Sequence, residues 1–311
     1  MKFFETILNE ARQQSHVVIA VAAAEDQEVI EAVLTALQQQ LGRFILYGNQ
    51  EKIKKAILQY APELFQDGRV QIFHSLSNEY AAKAAVRAVH LREATVLMKG
   101  NVPTATLLKE VLNKEYGLRT ENLLSHVALF DAPHFSKPII VTDAAMNIAP
   151  GLTEKVQILQ NAVEVARGIG ISIPKVAPIA AVEVVNPNMQ ATMDAAALTQ
   201  MNRRGQIKNC IVDGPLALDN AVSMEAARHK GIASEVAGDA DILLMPGIEE
   251  GNILYKSLIY FGQASVAGLI DGAKAPVVFT SRSDSAKSKL YSIALAICAA
   301  KRAANKRIWE E

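Results

Sequence analysis

The spacing of hydrophobic positions changes repeatedly along the chain, and those changes predict the elements. Phe3, Phe4, Ile7, Leu8 and Ala11 recur at helical spacing, and residues 17–21 then form a β-branched run of the kind that fills a buried strand. Ile30, Val33, Leu34, Leu37 and Leu41 make a helical stripe that stops before Gly42. Residues 44–47 read as a strand and 53–57 as the start of a helix, and strands at 70–73 and 95–98 flank an Ala-rich helix at 81–89. Strands alternating with helices predict a parallel sheet covered on both faces.

The stretch 131–137, with Pro133 and then Pro138, has no periodic pattern and predicts a domain boundary. Further strands are expected at 139–142, 175–179, 210–213 and 241–245, with helices beginning near Thr153, Ala191, Ala217 and Asn252. A last strand at 277–280 precedes a helix from about 285 to 302. The turn "DGAKAP" at 271–276 suggests a second crossing that returns this end to the first domain. The expected domains are therefore 1–133 plus 273–311, and 134–272.

Length agrees, since 311 residues at about 150 per domain make two α/β domains, each with a mostly parallel sheet and a core of its own. Half the residues are apolar and 21% are charged, which excludes disorder and collagen-like repeats. Lys plus Arg (32) cancels Asp plus Glu (32), so neither a nucleic acid nor an anionic membrane is an expected partner. Cys210 and Cys298 suggest neither a disulfide framework nor a metal knuckle, and a reducing cytoplasm fits best. The apolar runs at 17–24 and 293–300 fall far short of the ~20 residues that span a bilayer. The first of them follows Glu5 and Glu10, which argues against a secretion signal.

In open parallel sheets, ligands gather beyond the carboxyl ends of strands. Five such places carry polar residues: "KGNVPT" (Lys99, Gly100, Thr104), "DAAMN" (Asp143, Asn147), "DGP" (Asp213), "MPGIEEGN" (Gly251, Asn252) and "SRSD" (Ser281, Arg282, Asp284). In the fourth, Gly251 allows close approach to a ligand and Asn252 can cap a helix whose first amides, at 253–255, face an anion. Lys256 would lean back toward that same helix end, the plain alternative being a capped helix with a solvated lysine. In the fifth, Arg282 can hold a phosphate through two parallel donors and Ser281 offers a hydroxyl; alternatively Ser281 or Ser283 caps the last helix. Asp143 and Asp213 can bind a ligand hydroxyl or a metal, or close turns through their own backbone. The sequence has no metal-spaced cluster, no Walker motif and no G-x-S-x-G elbow; Gly168 and Gly170 lack the third glycine of a dinucleotide fingerprint.

Taken together, "VLMKGNVPTATLL", "VTDAAMNIAP", "VDGPLALDNA", "VAGDADILLMPGIEEGNILYKSL" and "GLIDGAKAPVVFTSRS" resemble the phosphate acetyltransferase and phosphate butyryltransferase family. Chain length and the "TDAAMN" and "SRSDSAKSKLYS" wording look more like the butyryl branch. The resemblance implies two isocitrate/isopropylmalate-dehydrogenase-like domains with the site between them. It also implies reversible conversion of acyl-CoA plus phosphate to acyl phosphate plus CoA, with acyl-CoA as substrate, no permanently bound cofactor or metal, and a homodimer or larger oligomer. Arg282 would hold the phosphate, Ser281 would position the thiol or thioester, and Lys256 and the helix amides would add charge relief. The acetyl branch carries a catalytic aspartate seven residues after the serine, where this chain has Ser288; either Asp284 substitutes, or the thiolate forms without a carboxylate base. A second arginine of that branch corresponds to the region of Lys109 and Glu110. Two rival readings are a metal-dependent hydroxy-acid dehydrogenase using Asp143 and Asp213, and a non-catalytic acyl-CoA or phosphate sensor.

Overall fold

Along the first third of the chain the expected alternation is realised as α1 (Lys2–Arg12), β1 (Val18–Ala22), α2 (Gln27–Gln38), β2 (Arg43–Gly48), α3 (Gln50–Tyr60), β3 (Val70–His74), α4 (Asn78–His90), β4 (Val96–Lys99) and α5 (Thr104–Val111). The computed structural model describes residues 2–14, 16–64, 68–133, 135–280 and 284–308. Asp26, Asn49 and Ser77 start α2, α3 and α4 by accepting first-turn amides on their side chains. Gly42 closes the turn into β2 at φ +68°, where a Cβ would lie 2.6 Å from the Val17 carbonyl oxygen.

The chain continues through β5 (Ser125–Asp131), β6 (Ile139–Thr142), α6 (Leu152–Gly168), β7 (Lys175–Pro178), α7 (Gln190–Arg203), β8 (Ile211–Val212), α8 (Leu218–Val222), α9 (Met224–His229), β9 (Ile242–Leu244) and α10 (Ile248–Tyr260). It ends with β10 (Ser265–Asp271), β11 (Val277–Val278) and α11 (Ala286–Ile308).

These elements form two units, Lys2–Asn122 with Ala267–Glu311, and Leu123–Val266. In the first, the strand order is β3-β2-β1-β4-β11-β10, parallel except for the β10–β11 pair. Helix α11 packs on α1 and α2, where the rings of Phe4 and Tyr291 stack at 4.2 Å. In the second, the order is β5-β6-β9-β7-β8, parallel except for β5 against β6. Its core includes Phe130, Val141, Ala177, Leu243 and Tyr255, all buried.

The divisions differ in place from the expected 133 and 273. The strands on either side of Pro133, β5 and β6, are paired antiparallel within the second unit, and the chain recrosses within β10 rather than at the turn after it. Both β5 and β10 are additional to the expected strands. Each has a partner one loop away on its own sheet, so neither shows the strand–helix–strand rhythm that marks the others. Among the described residues, no helix is long and apolar enough to cross a membrane.

Candidate active site

The residues singled out beyond the strands fall into two groups, one in each unit. In the first unit Lys99 ends β4, is 6% exposed, and its Nζ donates to the Gly100 carbonyl at 3.4 Å. Gly100 lies against the β1 turn, with its amide 2.8 Å from the Ala22 carbonyl oxygen. A Cβ on it would stand 2.2 Å from the Ala23 oxygen, so the glycine serves a main-chain contact at this point. Thr104 opens α5, whose N-cap is Pro103 with no side-chain cap bond and whose first turn holds no acidic residue. A helix start without a carboxylate suits an anion.

Asp284 is buried, and its main-chain carbonyl accepts from Nζ of Lys289, which itself is 3% exposed. Ser285 caps α11, its Oγ accepting from the Ser288 amide at 3.2 Å. Position 288, where the acetyl branch has its aspartate, is thereby part of the first turn of α11. Ser281, Arg282 and Ser283, expected to bind phosphate or to cap this helix, lie outside the described residues.

In the second unit Asp143 directly follows β6 and is 3% exposed. Its Oδ1 accepts from the amides of Ala145 (2.8 Å) and Met146 (3.0 Å), and its Oδ2 accepts from Asn147 Nδ2 (2.6 Å). Asn147 Nδ2 donates also to the Leu124 carbonyl at 2.9 Å. Asp143 and Asn147 thus brace their own loop, the turn-closing alternative of the sequence. Asp213 follows β8, three strand spacings or roughly 14 Å along the sheet from β6. Its Oδ1 lies 3.6 Å from Arg203 Nη2. The two aspartates do not converge on one ion, which removes the geometric basis of the metal-dehydrogenase rival. Among the described residues, no group of three or more His, Cys, Asp and Glu side chains could hold a metal.

The anion site expected at Asn252 is corrected by the structure. Helix α10 starts at Ile248 with Gly247 as N-cap, because Glu249 and Glu250 favour the positive end of a helix and extend it past the glycine. Those two carboxylates disfavour an anion there, and the Ile248 amide already donates to the Ile148 carbonyl at 3.0 Å. Asn252 is an interior helix residue whose Nδ2 donates to the Ala144 carbonyl at 3.2 Å. Lys256 sits roughly 12 Å along the axis from Ile248, beyond the reach of a lysine to that end. Its Nζ lies 5.3 Å from the centre of the Tyr255 ring. Gly251, expected to admit a ligand, instead admits the Asp143 main chain.

Two residues that sequence reasoning missed complete this group. His126 on β5 is buried, its ring centre 5.8 Å from that of Tyr255, and its carbonyl accepts from Thr142 Oγ1 at 2.8 Å. Tyr255 in turn meets Phe130 edge-on at 5.2 Å. Burial pushes the His126 imidazole below its usual pKa, and the Asp143 carboxylate pulls the other way without overcoming it. The one available sequence signal was a histidine inside an otherwise apolar run, "HVALF".

The family described as "Phosphate acetyl/butaryl transferase" matches residues 70–297. A Bacillus subtilis (strain 168) protein named "Probable phosphate butyryltransferase" is 59% identical over 293 residues, covering 94% of this chain and 96% of that one. A Clostridium acetobutylicum "Phosphate butyryltransferase" is 48% identical over 299 residues, covering 95% and 97%. Among solved structures, a branched-chain phosphotransacylase from Enterococcus faecalis V583 superposes with a TM-score of 0.81 at 38% identity, covering 91% of this chain and 99% of that one. With its motifs in order, its two α/β units and similarity running nearly end to end, this chain belongs to the phosphate acetyl/butyryl transferase family.

Proposed function

We propose that this chain transfers a short acyl group between CoA and inorganic phosphate, with butyryl-CoA as its main substrate. The near-full-length similarity to proteins named phosphate butyryltransferase carries the reading. The family description also includes acetyl transfer, and the Enterococcus structure is named for branched chains, so acetyl and branched acyl groups are the second reading.

The reaction proceeds by direct transfer in a ternary complex. A phosphate oxygen attacks the thioester carbonyl carbon, the carbonyl electron pair moves to oxygen, and its return breaks the C–S bond with the pair leaving on sulfur. The proton of hydrogen phosphate ends on the CoA thiolate, so neither water nor a redox partner enters the sum. A thiol with a pKa of about 8.5 is a good leaving group, and one positioned oxyanion donor is worth about 2.7–4 kcal/mol. Arg282 orients the phosphate through paired donors and Ser281 hydrogen-bonds the reacting sulfur or oxyanion. Lys99 and the start of α5 add positive potential beyond β4, and Asp284 is assigned the role of moving the proton.

The test is thiol release from butyryl-, acetyl- and isobutyryl-CoA with phosphate varied. Release that depends on phosphate, with a sequential initial-velocity pattern and highest kcat/KM for butyryl-CoA, is expected. Ping-pong kinetics would exclude direct transfer, and tight acyl-CoA binding without turnover would establish a sensor instead.

A further inference from the structure

We infer that Lys289 is a positioning residue for Asp284, an assignment that rests on the acyl-transfer reading above. Lys289 stands in the first turn of α11, its amide bonded to the Ser285 carbonyl at 3.0 Å, and its side chain folds back toward the residue preceding the cap. Nζ donates to the Asp284 main-chain carbonyl and, at 2.7 Å, to Oε2 of Glu28 in the first turn of α2. The ammonium is thus a three-way tie between α2, α11 and the residue that follows the family's serine-arginine segment.

Burial makes this arrangement informative. The Lys289 side chain is 4% exposed, whereas its carboxylate partner is 50% exposed. Withdrawing an ammonium from water costs several kcal/mol, and a half-solvated carboxylate returns only part of it. A solvated lysine at the same helix position would avoid that cost. What the buried one adds is a fixed place for Asp284. Lys289 also lines, with Asp26, Val29, Lys99, Gly100, Asn101 and Thr280, a recess of about 20 Å³ at the carboxyl ends of β1 and β4. Both groups that Nζ meets belong to the protein, so Lys289 acts through its protein partners.

Steady-state kinetics and thermal midpoints of Lys289→Met, Lys289→Arg, Asp284→Asn and the two double variants test this. Misplacing a reacting group by about 1 Å costs up to 10²-fold, so Lys289→Met should lower kcat roughly tenfold or more with the KM for butyryl-CoA little changed. Lys289→Arg should recover part of that loss. In the Asp284→Asn background, neither substitution should lower kcat further, because residues acting as a unit are not additive. Wild-type kcat in folded Lys289→Met, a raised KM at unchanged kcat, or full multiplicative losses in the double variants would each overturn the assignment. Should Lys289→Met fail to fold, the Lys289→Arg and Asp284→Asn cycle decides alone. If the wild-type protein itself releases no thiol with phosphate, the acyl-transfer reading falls and takes this assignment with it.

Discussion

Gly251 packs its α-carbon onto the main chain of Asp143, where a Cβ would lie 2.3 Å from the Asp143 carbonyl oxygen and 3.0 Å from the Ala144 α-carbon. The contact brings α10 against the loop after β6, and the backbone at either side cannot yield as a flexible side chain would. At a solvated helix position, Gly→Ala stabilises by about 1 kcal/mol. Here overpacking dominates, so Gly251→Ala should destabilise the protein by about 1–3 kcal/mol, read as a lower urea midpoint at unchanged m-value. A higher midpoint would mean that the close approach does not exist in solution.

Arg282→Ala should lower kcat/KM for phosphate severely while leaving the thermal midpoint within a few degrees. An arginine that orients phosphate through two parallel donors has no substitute in a methyl group. Lys at the same position restores charge without the fork, and should recover only part of the rate. A variant with wild-type turnover would remove Arg282 from the mechanism.

Stability should fall as pH drops below about 6.5, because burial lowers the folded-state pKa of His126 beneath its unfolded value. Between those two pKa values the unfolded chain binds the extra proton, so the contribution is present above about pH 6.5 and lost progressively on acidification. Urea unfolding of wild type and His126→Phe between pH 5 and 7 measures this, the variant showing the flatter profile. Parallel profiles would show that His126 is not held neutral.

Neither cysteine should contribute colour to a thiol-release assay. The Cys210 thiol is pushed up to about 11 by burial, with Arg167 acting weakly against it, and Cys298 is buried with its sulfur 3.8 Å from the Ile7 carbonyl. The thiolate is the reactive form, so on the order of one Cys210 in ten thousand is competent at pH 7. A chromogenic disulfide reagent should therefore label the native protein negligibly within minutes and find two thiols only after denaturation. Fast labelling of native Cys210 would contradict its burial.

The sequence was sufficient for most of what depends on neighbours in the chain, the start of α10 at Ile248 being an exception. Nine strand positions could be placed, because a β-branched run such as that of β1, or an apolar stripe such as that of α2, reports its own burial through its spacing. The ordered motifs sufficed for the family, since each is a run of consecutive residues. Tertiary structure decided what depends on distant segments. Gly251 reads as a ligand-approach glycine until Asp143 occupies the space beside it, and Lys289 and His126 read as ordinary residues until other elements cover them. Periodicity encodes which side of an element faces inward. Which backbone, ammonium or ring meets it there is determined only when the sheets bring together segments such as Asp143 and Gly251, far apart in the chain and adjacent in space.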